Sequence, residues 1–87
     1  MSFFCYILEC ADGTFYTGWT TDPVRRERQH NHGIASRYTR MHRPVRLVYL
    51  EPQTDRPTAM RRELQIKTYP RAKKKALIDQ FQREKNP

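Results

Sequence analysis

Apolar residues come in separated blocks along this chain, and the spacing inside each block points to an element. Phe3-Phe4-Cys5-Tyr6-Ile7-Leu8 is a short run of strand formers. Asp12-Gly13 follows as a hairpin signal, and Thr14 to Thr20 reads as a second strand. With the turn at Asp12-Gly13, pairing runs roughly 9 with 16 and 6 with 19, and Tyr6 and Tyr16 come within diagonal reach on one face. Thr21 or Asp22 caps a helix that Pro23 opens, running to His32 and stopped by Gly33. Val24 is the only aliphatic residue between Pro23 and Gly33, so no apolar stripe holds this helix and its polar side chains need another purpose.

A loop through Ile34 to Arg43 leads to a third strand, Pro44 to Leu50. Its inward face carries either Val45, Leu47 and Tyr49 or the alternate set. A turn around Pro52 to Arg56 precedes a helix from Pro57 to about Thr68, which Tyr69-Pro70 breaks. Pro70 opens a last helix to about Glu84, with Leu77, Ile78 and Phe81 at i, i+1 and i+4. The order ββαβαα, with no repeats and no low-complexity linker, predicts a small α+β fold with a three-stranded sheet.

The 87 residues suit one domain spanning 1–87, and folding at this length buries roughly 60–65% of the extended surface. With 37% hydrophobic and 30% charged residues the composition is core-poor, yet five Tyr, one Trp and the clustered apolar blocks argue for an independent fold. No stretch approaches the roughly 18 apolar residues of a membrane span, and nothing resembles a signal peptide. Cys5 and Cys10 lie five apart in one strand, on opposite faces, which argues against a disulfide between them. No set of four zinc ligands is present either, so the expected compartment is reducing and cytoplasmic, with no membrane association. Seventeen Lys and Arg against nine Asp and Glu give a net charge of +8, the footprint of a polyanionic partner.

Three polar groups carry candidate chemistry. Tyr6 and Tyr16 occupy the two arms of the hairpin, where they read either as ordinary aromatic packing or as a pair of phenols on one face. Arg26 and His30 stand i, i+4 on the polar helix, either as the solvated face of a charged helix or as a pairing suited to phosphate recognition and proton transfer. Glu63 falls in the predicted stripe Met60, Glu63, Leu64, Lys67 facing the sheet, where a carboxylate is costly unless paired with Lys67 or bound to a cation such as Mg²⁺.

Taken in order, Cys5-Tyr6-Ile7-Leu8, Phe15-Tyr16-Thr17-Gly18, Arg25-Arg26 before His30-Asn31, Arg37-Tyr38-Thr39-Arg40 before Arg43-Pro44-Val45, and Ala59 to Lys67 span nearly the whole chain. This set resembles the GIY-YIG nuclease domain, and more closely its small, single-domain bacterial branch. The resemblance implies a three-stranded antiparallel sheet flanked by helices and a metal-dependent DNA endonuclease. In it Tyr6 and Tyr16 would sit by the attacking water, one of them as general base. Arg26 would stabilise the scissile phosphate, His30 would assist proton transfer or phosphate binding, and Glu63 would hold one Mg²⁺ or Mn²⁺. Two positions depart from the family pattern. Phe4 stands in place of the first motif's Gly, and no Asn lies between Asn31 and Asn86, where several members carry one after the metal-binding Glu. The expected partner is DNA in a branched, nicked or single-stranded form, in a repair or recombination setting. Arg25, Arg28, Arg37, Arg40, Arg43, Arg46 and Lys67, with Lys73 to Lys75 at the far end, would grip it. The alternatives are a catalytically weak or inactive nucleic-acid-binding module with the same fold, or a basic protein-interaction domain. The intact Tyr6, Tyr16, Arg26, His30, Glu63 set favours the enzyme.

Overall fold

Strand formers of the first twenty positions build the hairpin that the pattern predicts. The computed structural model, which describes residues 1–85, opens with strands β1 (Phe3–Cys10) and β2 (Phe15–Thr20) in an antiparallel hairpin. The loop holds three residues, Ala11, Asp12 and Gly13, not the two expected. It is closed by Cys10 N–H on the Thr14 carbonyl at 2.8 Å, with Gly13 at φ +85°. This corrects the pairing by one residue, to 9 with 15 and 6 with 18. The corrected register sets Tyr16 opposite Leu8, diagonal to Tyr6 on the same face. Phe4, where the family motif has Gly, sits in ordinary strand backbone, and no residue other than glycine has positive φ among those described.

Strand β3 (Val45–Gln53) pairs antiparallel to β1, so the sheet order is β2-β1-β3. A register shift at Ile7/Leu8 leaves Val48 as an extra residue. The bulge resolves the open choice of inward face. Val45 and Leu47 pack on one side of the sheet, Val48 and Tyr49 on the other, and each candidate set is half right.

The two faces receive different cover. Helices α3 (Arg56–Lys67) and α4 (Arg71–Lys85) bring Ala59, Ile66 and Ile78 onto Cys5, Ile7, Val48 and Tyr49. Each fully buried aliphatic side chain there contributes about 1.5–3 kcal/mol. Tyr6, Leu8, Cys10 and Val45 occupy the other face, together with Tyr16, Leu47 and Leu50. Cys5 and Cys10 are free and buried on opposite faces, as their spacing predicts.

Helix α1 (Pro23–Asn31) is capped by Asp22, whose carboxylate accepts the Arg25 N–H, and ends as the chain reaches Gly33 at φ +79°. Its polar side chains prove to be its attachment to the sheet. The Glu27 carboxylate accepts the Leu47 N–H at 2.6 Å. The Asn31 amide accepts the Val45 N–H at 2.7 Å and donates to the Val45 carbonyl at 2.9 Å. Gln82 of α4 reaches the Val48 carbonyl at 2.8 Å. Residues 27, 30 and 31 share one helical face, so the side that docks on β3 also carries His30 inward.

Two expectations need correction. The segment read as loop from Ile34 to Arg43 contains a short helix, α2 (Arg37–Met41), capped by Ser36 and burying Thr39, so the order is ββααβαα. On α3, Met60 and Leu64 are exposed and do not face the sheet; the buried positions are Ala59 and Ile66. A polar anchor joins α3 to β3. Arg62 donates to both Glu51 oxygens, at 2.8 and 3.2 Å, and Tyr49 and Gln53 also donate to that carboxylate. Burial pushes the Glu51 carboxyl up, but these donors outweigh it and hold the group below the usual carboxylate range. No helix among the described residues is long and apolar enough to cross a membrane.

Candidate active site

The site begins with a missing side chain. Gly18 of β2 stands opposite Tyr6, and a Cβ at that position would run into the Tyr6 phenol. The space so left lets the Tyr6 ring lie across the neighbouring strand and reach α1, where its hydroxyl meets His30 Nε2 at 2.8 Å. The last turn of α1 presses His30 against the sheet with 1% of its surface exposed. Its other nitrogen, Nδ1, lies 2.7 Å from Thr39 Oγ1 of α2. Tyr16 meets the imidazole edge to face, ring centres 5.1 Å apart, and Tyr6 does so at 5.8 Å.

Tyr6, Tyr16, Arg26, His30 and Glu63 line one cleft of about 240 Å³, together with Gly18, Trp19 and Ala35. Five side chains predicted to act together, drawn from four elements, are thus brought together. The electrostatics divide them. Burial, and then the neighbouring Tyr16 phenol, push the Tyr6 hydroxyl well above the ordinary tyrosine range, with Arg26 opposing. Burial also depresses His30 to about 4, with the Arg26 charge working in the same direction, so the imidazole is neutral at pH 7. The Glu63 carboxylate is largely covered and has Lys67 Nζ at 3.6 Å, an ion pair too long to be a hydrogen bond.

The basic residues fall into two groups. A hollow lined by Arg37 and Arg40 adjoins the cleft through Ala35, and another lined by Arg25 adjoins it through Arg26. Arg43 donates to the Arg40 and Asn31 carbonyls at 3.1 and 3.4 Å, fastening α2 to the end of α1. Arg28 is exposed two residues from Arg26, on the far side of α1. Arg46 is paired with Glu9 at 2.7 Å beside a separate hollow that shares no residue with the cleft. On α4, Lys73 covers the Tyr69 ring at 4.0 Å and Lys75 pairs with Asp79 at 2.6 Å. Thr39, which also touches this site, has no mark in the sequence pattern, because an isolated threonine in a polar stretch shows no periodicity. The available signal was Ser36 three positions earlier, a cap that places Thr39 in the first turn of a helix.

Comparison with known proteins shows the family and the fold. The family model of the GIY-YIG catalytic domain matches residues 2–76. A UPF0213 protein of Staphylococcus aureus is 47% identical over 77 residues, which are 88% of this chain and 94% of that one. The solution NMR structure of a UPF0213 protein from Bacillus halodurans shares 43% identity over 91% of this chain and 84% of its own, with a TM-score of 0.58. A second solution NMR structure, from E. faecalis, shares 36% identity over 94% of this chain and 88% of its own, with a TM-score of 0.62. With its hairpin tyrosines, its Arg-His helix and its Glu-bearing helix gathered on one cleft, the chain belongs to the GIY-YIG family, alongside the small UPF0213 proteins of bacteria.

Proposed function

We propose that this protein is a divalent-metal-dependent endonuclease that hydrolyses phosphodiester bonds in DNA. One observation carries the reading: Tyr6, Tyr16, Arg26, His30 and Glu63 line a single cleft whose neighbouring hollows are lined by further arginines. Hydrolysis needs a proton taken from water and a clamp for the charge that gathers on the phosphoryl oxygens. Tyr6 does not ionise by itself at neutral pH, because its buried hydroxyl is held far above that range. It serves as a base by taking the water proton while passing its own to His30, which is neutral and 2.8 Å away. Arg26 supplies a permanently charged fork for two phosphoryl oxygens. Tyr16, the second phenol of the cleft, contacts the attacking water or the phosphate beside it.

Glu63 fits a hard divalent cation. It is a largely covered carboxylate at the cleft with only a long ion pair to Lys67, and among the described residues no three His, Cys, Asp or Glu side chains converge. Such a donor set suits Mg²⁺ or Mn²⁺, which keep most of their water and take one or two carboxylates plus substrate phosphate. Bound there, the cation would supply Lewis-acid stabilisation of the phosphate. Arg25, Arg37 and Arg40 extend the positive surface on both sides, which suits a DNA backbone running through the cleft.

The test is a cleavage screen with Mg²⁺ and Mn²⁺ over single-stranded, duplex, nicked, flapped and branched DNA, run for wild type and Glu63→Gln. The substitution keeps the shape and removes the charge. Hydrolysis should collapse at least a hundredfold while DNA affinity holds or rises. Stability without metal should change by less than about 0.5 kcal/mol, since a long, half-exposed ion pair is worth little. Unimpaired cleavage by the variant would sink the metal-site assignment.

A further inference from the structure

We propose that Thr39 is a positioning residue: its hydroxyl fixes which nitrogen of His30 carries the proton, and so gives the Tyr6–His30 pair one direction of transfer, from phenol to imidazole. The idea deepens the nuclease reading and rests on it for its kinetic consequence. The tautomer itself is a property of the free protein.

The argument follows the hydrogens one at a time. A threonine hydroxyl has one proton to give, and the Ser36 carbonyl, 3.3 Å away, is placed to take it. Its oxygen then faces His30 Nδ1, at 2.7 Å, with lone pairs only. In that arrangement Nδ1 is the N–H nitrogen and Nε2 is bare. A bare Nε2 can only accept, and the group that reaches it is the Tyr6 hydroxyl at 2.8 Å. The donors run in a single file: Tyr6 to His30, His30 to Thr39, Thr39 to Ser36. The phenol oxygen keeps its lone pairs for a water in the cleft.

The opposite arrangement would disable the pair. With Thr39 donating to Nδ1, the proton would sit on Nε2 and point at the Tyr6 oxygen. The phenol could then neither release its proton to the imidazole nor offer that lone pair to water. Which nitrogen of a neutral histidine is protonated is set by the bond the other nitrogen makes. No solvent can take over that bond here, because Thr39 is fully buried and His30 is 1% exposed.

The fold holds Thr39 independently of the chemistry. Ser36 Oγ accepts the Thr39 N–H at 3.1 Å as the cap of α2, so the backbone is fixed from the same residue whose carbonyl receives the hydroxyl proton. Arg43 ties that turn to the end of α1. The short helix that has no apolar pattern of its own thereby serves to hold one hydroxyl behind the imidazole.

The experiment reads the tautomer directly. Two-bond ¹H–¹⁵N correlation spectra of the ¹⁵N-labelled full chain at pH 7 distinguish protonated from bare ring nitrogens, and His30→Gln identifies the His30 signals among the three histidines. Wild type should show a protonated Nδ1 and a bare Nε2. Thr39→Val keeps the shape but removes the acceptor. It should move the proton to Nε2 and slow single-turnover cleavage at least tenfold, with DNA affinity changed less than twofold. Thr39→Ser restores the hydroxyl, and with it the Nδ1–H tautomer and most of the rate. Wild-type His30 carrying its proton on Nε2 would overturn the proposal without any variant. So would a Thr39→Val protein that keeps the Nδ1–H form at full rate. Failure of the wild type to cleave any DNA would count against the nuclease reading alone, since the tautomer is measured without substrate.

Discussion

The two faces of the sheet are built by different rules. On the side of α3 and α4, Cys5, Ile7, Ala59, Ile66 and Ile78 close an apolar core, held mainly by burial, with the Arg62–Glu51 anchor and the Gln82 bond to Val48 at its margins. On the side of α1 and α2, the buried residues include a histidine, a threonine and a tyrosine joined in a file of hydrogen bonds. Apolar burial is non-directional, and it stabilises without fixing any proton. A buried polar network is directional and leaves its members neutral, oriented and costly to disturb. One face keeps the fold; the other keeps the chemistry in register with it.

The separation can be broken most strongly from the apolar side. Ile66→Ala should lower stability by about 2–5 kcal/mol, read by urea unfolding, while the fraction still folded retains wild-type turnover. Loss of turnover in the folded fraction would mean that the faces are not independent. The converse change is Arg26→Ala, on the polar side. It should slow single-turnover cleavage about a hundredfold, near 3 kcal/mol, and leave the thermal midpoint almost unmoved.

A third test uses pH and stays within the polar face. His30 is depressed to about 4 in the fold against an ordinary value of 6.5, so the unfolded chain binds its proton first as pH falls. The stabilisation is therefore complete above about pH 6.5 and is lost as pH falls toward 4. From pH 7.5 to pH 5 this histidine should account for about 2 kcal/mol of lost stability. His30→Gln should remove that share of the slope, and an unchanged slope would show the imidazole is not held neutral. The smallest effect is expected where the polar helix meets the sheet. Asn31→Ala should cost about 1 kcal/mol in thermal melts, for two side-chain bonds to Val45.

The sequence disclosed most of what periodicity and turn chemistry can encode. The hairpin, the cap ahead of Pro23, the stop at Gly33 and the last helix all lie where their residues predict. The exact hairpin register was hidden, because Asp12-Gly13 suits a two-residue turn and equally the end of a three-residue one. Helix α2 was hidden because five residues are too few to show a period; a cap and one buried threonine hold it. On α3 the apolar Met60 and Leu64 misled, since the true inner face packs Ala59 and Ile66 beside a partly buried ion pair. The catalytic candidates stood out by chemical type, but only the resemblance of their order to the GIY-YIG pattern joined them as one set. Thr39 did not stand out, because its part depends on a contact nine residues away in the chain that only the fold creates.

The bonds that Glu27, Asn31 and Gln82 make to Val45, Leu47 and Val48 bear on how such a chain behaves in a crowd. Strand β3 forms one margin of the sheet, and a bare margin is a template on which another chain can extend the sheet without limit. Here donors and acceptors along that margin are already engaged by side chains, and the bulge at Val48 bends the path a visiting strand would have to follow. The helix that carries the histidine to the cleft thus also guards that margin against strand addition, and mutations that loosen it should lower solubility.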